Sequence, residues 1–433
     1  MNQLITSLWG DEAFTAVAVK ENFLRMLEIV TKDTAPPLYY LCLFVWTRIF
    51  GSSEIAIRSL SLLLYLGTIF IVYLITKRIW DKKTGLLAAF LALANPFLFP
   101  FAFEGRMYAI LVFTVTLSFY FFFTANNLGY VLAAAAALYS HHYAILVIIF
   151  QFFWRLITIK NLKHNWFKFL KIYLLIGLLY LPWLYPLYKQ LSMVSGQGFW
   201  LGKPIFKDIF GLILKYLLGN IVFLWQKYLL LLVIIILIFK QWRKKLKENC
   251  ILIGWVFSPI LIAFLLSQGK TSIFYDRYLI FIIPAIILLL AGGWRKTSLL
   301  FIILFCLPLL WLNYYYFTHP TKRPFRELST YIKNEVGQDD FLINFNGSAH
   351  HLWESKYYNL QAPLYNPGGP LPYYVGTAQM TDKDIITQLP KKERIGVISS
   401  ENPQSIQLEN YQLLNYKQFD SLYFSWFINN EKN

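Results

Sequence analysis

Cysteine and histidine are rare in this chain: its 433 residues hold 3 Cys and 6 His. Cys42, Cys250 and Cys306 all fall in apolar stretches, which excludes a disulfide framework and a thiolate metal site. No HExxH or HxxxH spacing exists, so the paired His141-His142 carries no metal motif. Internal repeats and low-complexity tracts are missing as well. Acid is the scarcest charge. Residues 1–320 contain 11 Asp or Glu against 29 Lys or Arg.

What fills the space is apolar. The chain is 57% hydrophobic and 19% aromatic, with a mean hydropathy of +0.48. Many separate runs approach the ~20 apolar residues that cross a bilayer, so the class is a polytopic α-helical membrane protein. The formal charge of +17 does not mark a nucleic-acid surface. Residues 321–433 hold 11 basic and 12 acidic side chains, so the excess lies in the apolar part, clustered in short loops. That is the pattern of topology.

Ten hydrophobic helices are read at 55–76, 84–103, 107–125, 129–140, 142–158, 168–188, 221–239, 251–267, 276–293 and 297–316. The run 36–50 follows two prolines, holds Arg48 and reads as a helix lying at the interface. Basic clusters at 77–83, 155–171, 240–247 and 295–296 fall on one face if the helices alternate, and that face is expected to be cytoplasmic. The opposite face receives Asp11-Glu12, Glu104-Gly105-Arg106, His141-His142, a 189–207 loop and Asp276-Arg277. From Thr318 the composition changes to a small extracytoplasmic α/β domain. Its expected elements are a helix at 325–336, a strand at 340–346, a helix at 348–358, a turn at 362–372, a strand at 394–400 and strand-like 411–428. The expected domains are a first external loop (1–54), a membrane bundle (55–317) and this domain (318–433). An external Asp11 requires either that residues 1–10 start outside or that a first membrane helix is missing from the sequence; the second is the expectation here.

Carboxylates near lipid are costly unless they do chemistry or find a partner. Asp11 and Glu12 open the amphipathic stretch DEAFTAVAVKENFLRMLEIV. Two readings stay open: they cap that helix, or one is a general base toward an acceptor hydroxyl while the other raises its pKa or holds a cation. Asp33 precedes Pro36-Pro37, where it or Thr34 could cap the next helix or serve the site. Glu104 and Arg106, two residues apart before Tyr108, either form a local salt bridge or place an arginine fork on a phosphate. Arg277, beside Tyr278, either anchors at the interface or neutralises a lipid phosphate. His142 suits polar lining of a cavity. Arg58, inside an apolar helix, has Glu54 at i−4 as the cheap partner.

Four blocks occur in order: LWGDEAFTA at 8–16, APPLYYL at 35–41 with IFGSSEIAIRSLS at 49–61, FAFEGRMYAI at 101–110, and YDRYLIFIIP at 275–284. In these the chain resembles the bacterial integral-membrane glycosyltransferases of family 39, the protein O-mannosyltransferase and aminoarabinose-transferase-like group with the GT-C fold. The resemblance implies a polyprenyl-phosphate-sugar donor and an inverting displacement on the extracytoplasmic face of the inner (plasma) membrane. It places the catalytic base at Asp11, with Glu12 beside it. Members often carry His where Ala35 stands, and they have a membrane helix before the acidic motif. Implied partners are the lipid-linked donor, membrane lipids and a protein, lipid or glycan acceptor, with no nucleic acid. A divalent metal is left open. The competing class, a transporter or flippase of lipid-linked sugars, calls for repeats and mid-membrane charges that the sequence does not show.

Overall fold

The computed structural model describes residues 2–159, 162–197, 201–219, 245–345 and 350–430. The expected span at 221–239 and the basic residues Lys160, Lys240, Arg243 and Lys244 lie outside the described residues. The chain divides into two compact units. One combines residues 1–33, 42–57 and 318–433; the other combines 34–41 and 58–317. Most of the expected first loop thus falls in the same unit as the C-terminal domain.

The larger unit is helical. Its helices are α4 (Glu54–Ile79, from residue 58 on), α5 (Lys82–Ala94), α6 (Tyr108–Thr124), α7 (Asn127–Ser140), α8 (Ala144–Thr158), α9 (Leu162–Tyr180), α10 (Leu184–Gln197), α11 (Phe206–Leu218), α12 (Leu246–Leu266), α13 (Ile283–Trp294) and α14 (Leu299–Thr318, to residue 317). Among the described residues four stretches are long and apolar enough to cross a membrane: Glu54–Ile79, Trp166–Gly196, Leu246–Leu266 and Leu299–Thr318. The protein is a membrane protein. Large aliphatic and aromatic side chains such as Leu63, Phe70, Leu304 and Trp311 stay exposed on these helices, as a lipid-facing surface requires.

Three expected elements come out differently. The run 84–103 is the 13-residue α5 followed by a 3₁₀ turn, Phe99–Phe103. Asn95-Pro96 stops the helix, because proline disfavours helical backbone before it and the Asn95 side chain accepts from the Phe97 and Leu98 N–H groups. The run 276–293 turns irregularly through the YDRY motif, and α13 begins only at Ile283, beside Pro284. Helix α10 continues to Gln197 and α11 starts at Phe206, so helix occupies much of the stretch read as a 189–207 loop.

Several basic loop residues of this unit pack against neighbouring helix ends. The Arg78 Nε donates to the Phe123 carbonyl at 3.2 Å. Arg155 donates to Asn127 Oδ1 at 3.4 Å and lies over the rings of Phe122 and Tyr130. Lys247 and Glu248, at the start of α12, line a cavity with Phe122 and Arg155, and Arg295 lies within electrostatic reach of Asp81. The residues of the 104–108, 141–143 and 275–278 turns gather separately, as described below.

The smaller unit is built on a six-stranded sheet. Its strands are β1 (Phe341–Phe345), β2 (Leu364–Tyr365), β3 (Ile385–Ile386), β4 (Arg394–Ser399), β5 (Tyr411–Phe419) and β6 (Leu422–Asn429), in the spatial order β3-β2-β1-β4-β6-β5. Strands β3, β2, β1 and β4 are parallel, while β6 pairs antiparallel with β4 and β5. The strand-like 411–428 is therefore a hairpin, turned at Asp420 in the left-handed region (φ 52°) and bulged between Leu413 and Asn415. Ile343, Ile395, Val397 and Phe427 form its core. Helices α15 (Phe325–Glu335) and α16 (His351–Tyr357) belong to the same unit.

The N-terminal helices pack into this unit. The amphipathic stretch after Gly10 is two helices, α1 (Gly10–Lys20) and α2 (Phe23–Lys32), because Asn22 breaks it and caps α2 through the Arg25 N–H at 2.9 Å. Arg48, on α3 (Leu38–Phe50), donates to the Val19 and Glu21 carbonyls at 2.8 and 3.0 Å, satisfying the C-terminal end of α1. Val45, Ile49 and Phe50 on α3 remain exposed, as do Phe23 and Leu24 on α2. Glu54 binds Arg326 at 2.5 Å and accepts from the Tyr358 hydroxyl at 3.0 Å, partners that the C-terminal segment supplies.

Candidate active site

Helix α1 carries the acidic pair in its first turn. Trp9 is its N-cap, without a side-chain cap bond, and the Trp9 carbonyl accepts from the Ala13 N–H at 2.9 Å. Both carboxylates suit the positive end of the helix dipole. Their surroundings differ sharply, although they are neighbours. Glu12 is fully buried, and its Oε2 meets Lys322 Nζ at 2.9 Å, with the lysine side chain itself only 10% exposed. Asp11 is 27% exposed, and its Oδ1 faces His350 Nδ1 at 3.5 Å. A buried ion pair of this kind holds both charges in place.

Helix α1 cannot shift easily against the C-terminal domain. Phe14 meets Trp353 edge-on, with ring centroids 5.3 Å apart, and the Phe14 carbonyl accepts from Gln379 Nε2 at 3.2 Å. The Leu8 N–H donates to the Tyr358 hydroxyl at 3.0 Å, and the Arg326 N–H donates to Ser7 Oγ, also at 3.0 Å. Gly376, at φ 89°, leaves room for this contact; a Cβ there would stand 2.6 Å from Trp353 and 2.9 Å from Phe14. Asp33 ends α2 as its C-cap, with its N–H on the Ile29 carbonyl. The following helix starts from Pro37, whose carbonyl accepts from Leu41 N–H.

The larger unit brings the remaining candidates together. Tyr108 is buried and within electrostatic reach of Glu104, Arg106, Arg277 and Tyr278. The Glu104 carbonyl accepts from Ser61 Oγ at 2.6 Å and from the Arg106 N–H at 2.8 Å, and Ser61 in turn meets the Tyr39 hydroxyl. Hydroxyls from the APPLYYL and SLS blocks thereby fix the EGR turn. The Tyr278 ring packs on His141 and Tyr143 at 5.0 and 5.1 Å. His142 bonds Gln190 at 2.9 Å and Tyr180 at 3.3 Å. Burial pushes His142 below the usual imidazole range, with the Gln190 bond opposing.

Four partners were not legible from the sequence. Lys322 and His350 reach the acidic pair from more than 300 residues away, and no local pattern announces them. Lys215, on α11, pairs with Asp276, whose carbonyl also accepts from the Tyr216 hydroxyl at 2.6 Å. Gln190, on α10, holds His142. Among the described residues no group of three His, Cys, Asp or Glu side chains could hold a metal ion.

Comparison with known proteins bears on the fold. Residues 34–188 match the profile of the dolichyl-phosphate-mannose-protein mannosyltransferase family. The chain is similar to ArnT from Cupriavidus metallidurans in the apo state, with a TM-score of 0.69 at 11% identity over 98% of this chain and 95% of that one. The same protein bound to undecaprenyl phosphate gives 0.66 at 11% identity, with the same coverage. The Archaeoglobus fulgidus oligosaccharyltransferase, in complex with Zn and sulfate, gives 0.53 at 13% identity over 90% of this chain and 64% of that one. At these identities the likeness is one of fold. No curated protein matches the sequence significantly. The resemblance read from the ordered motifs holds at that level: the family profile matches residues 34–188, and the fold is ArnT-like.

Proposed function

We propose that the protein is an inverting glycosyltransferase that moves a sugar from a polyprenyl-phosphate donor to an acceptor hydroxyl. The observation that carries the reading is the unequal fate of two adjacent carboxylates: Glu12 is buried against Lys322, while Asp11 keeps a solvent-accessible face. Asp11 is the base. In the step, the acceptor oxygen attacks the anomeric carbon and its proton passes to Asp11. The bond from that carbon to the phosphate oxygen breaks, and the lipid phosphate departs with the electron pair. A positioned base of this kind contributes about 10²–10⁴-fold. Glu12, with its charge already paired, acts through position: it anchors the first turn of α1 to Lys322.

Arg106 and Arg277, framed by Glu104, Tyr108, His142 and Tyr278, take the donor phosphate. Guanidinium forks suit phosphate oxygens, and tyrosine and imidazole groups supply neutral hydrogen-bond partners. Asp33, as a helix terminator at the edge of the APP block, is assigned to the donor side with less direct contact. Support for the donor class comes from the family match and from an ArnT fold known with undecaprenyl phosphate.

The chain is further proposed to lie in the inner (plasma) membrane with about ten membrane helices. Its basic end faces the cytoplasm, and residues 318–433 with the acidic motif lie outside. The positive-inside distribution of loop charge supports this orientation. Asp11→Asn tests the reading: transfer onto envelope acceptors should fall to background while the protein folds and still takes up the lipid donor.

A further inference from the structure

The C-terminal domain is organised like an open α/β sheet at its parallel side. From β1 the chain runs to β2 and β3 on one side, then returns to β4 on the other. The carboxyl end of β1 is therefore the switch point, the place where such sheets receive ligands. His350 stands directly before α16, the helix that follows β1 in the chain, with its backbone in the left-handed region at φ 64°. For a residue other than glycine this conformation is uncommon and marks a position constrained by its surroundings.

What meets His350 is α1. Gly10 packs so closely that a Cβ there would lie 2.4 Å from the His350 Cβ and 3.4 Å from its Nδ1. The next residue, Asp11, presents Oδ1 to that same Nδ1 at 3.5 Å. This is ion-pair range, longer than an ordinary hydrogen bond, as catalytic contacts often are before substrate binds. Among the described residues, several charged groups on the surrounding elements are paired with one another. On α1 and the approach to α15, Glu12 holds Lys322; on α16, His351 holds Glu354 and Lys356 holds Asp384; beside Ser7, Arg326 holds Glu54.

We propose that His350, supplied by the C-terminal domain, is the positioning residue of the catalytic carboxylate: its Nδ1–H holds Asp11 Oδ1 and sets the orientation in which the carboxylate meets the acceptor. The proposal rests on Asp11 being the base. Imidazole is the side chain whose ordinary titration falls between about pH 5 and 8. Protonation of His350 would place a full positive charge on Asp11 and weaken it as a base. Turnover should then drop on the acid side as the imidazole charges.

The test has two arms on the full-length protein in detergent. In the first, imidazole NMR follows the titration of His350, assigned by its loss in His350→Gln. In Asp11→Asn the His350 titration should move to lower pH, because the carboxylate that favours the imidazolium is gone. An unchanged titration overturns the pairing. The second arm measures transfer with native envelope membranes as the source of donor and acceptor. His350→Ala should lower kcat at least ~10-fold with KM unchanged, and His350→Gln should recover most of it at pH 8 and lose the acid limb. If His350→Gln keeps both the wild-type rate and the wild-type pH profile, the proposal fails. Inactivity of Asp11→Asn alongside that result leaves the base assignment standing; full activity of Asp11→Asn sinks the base instead, whatever the NMR shows.

Discussion

Lys322 and Glu12, 310 positions apart in sequence, form an ion pair of 2.9 Å in which neither side chain is more than 10% exposed. Removing one partner of such a pair strands a buried charge and costs about 3–5 kcal/mol. Lys322→Met should therefore lower the thermal stability of the purified protein strongly, and activity with it. Lys322→Met combined with Glu12→Gln should recover most of the stability, since an uncharged pair of similar volume avoids the stranded carboxylate. Equal loss in single and double variants would show that the pair is not coupled.

Gly10→Ala adds one methyl group where the His350 Cβ stands 2.4 Å away. The near end of that side chain cannot swing aside, so α1 or the 350 turn must shift. Overpacking of this kind costs about 1–3 kcal/mol. Transfer activity should fall more than stability alone explains, because Asp11 is the next residue. A melting temperature and kcat both equal to wild type would contradict the contact.

Arg277→Ala and Arg106→Ala should weaken donor use. Hydrogen bonds to charged groups contribute about 1.5–3 kcal/mol, roughly 10- to 100-fold in affinity. The effect should appear in the KM or Kd for the polyprenyl-phosphate sugar, and it should be larger for alanine than for lysine. Donor affinity unchanged in both variants would remove the phosphate-ligand assignment.

Asp340 in the C-terminal domain is held below the usual carboxylate range, first by Arg394, which donates to both of its oxygens, and also by the Gly337 N–H. A depressed pKa contributes stability above the unfolded value, near pH ~4, that is lost as the carboxylate protonates in the folded state at lower pH. Asp340→Asn should cost about 1 kcal/mol at neutral pH, discounted for the partly exposed guanidinium. The difference from wild type should vanish in strong acid. Thermal unfolding from pH 3 to 8 checks this.

Much of the fold was legible because long apolar runs carry it. The helices from Glu54 to Ile79, Tyr108 to Thr124 and Leu246 to Leu266 stand where unbroken hydrophobicity placed them. Where a run was misjudged, one local interaction decided the outcome: Asn95-Pro96 cut α5 short, and Asn22 split the acidic helix from its neighbour. Helix α11 was missed because Asp208 and Lys215 keep its apolar run below spanning length. In the candidate site, the clustering of Tyr108 with Arg106, Arg277 and Tyr278 agrees with the expectation that the 104–108 and 275–278 turns share one end of the helices. The roles of Lys322 and His350 do not follow from any such rule. They depend on how a mixed sheet meets a helix some 300 residues earlier, and neither periodicity nor spacing encodes that encounter.

The central claim is that Asp11, and not Glu12, removes the acceptor proton. Single-turnover transfer by Asp11→Asn and Glu12→Gln, each saturated with lipid-linked donor and checked for folding, tests it most directly. Asp11→Asn should lose at least ~10²-fold in rate with donor binding intact, while Glu12→Gln in the Lys322→Met background retains measurable transfer. Near-normal turnover by Asp11→Asn would contradict it.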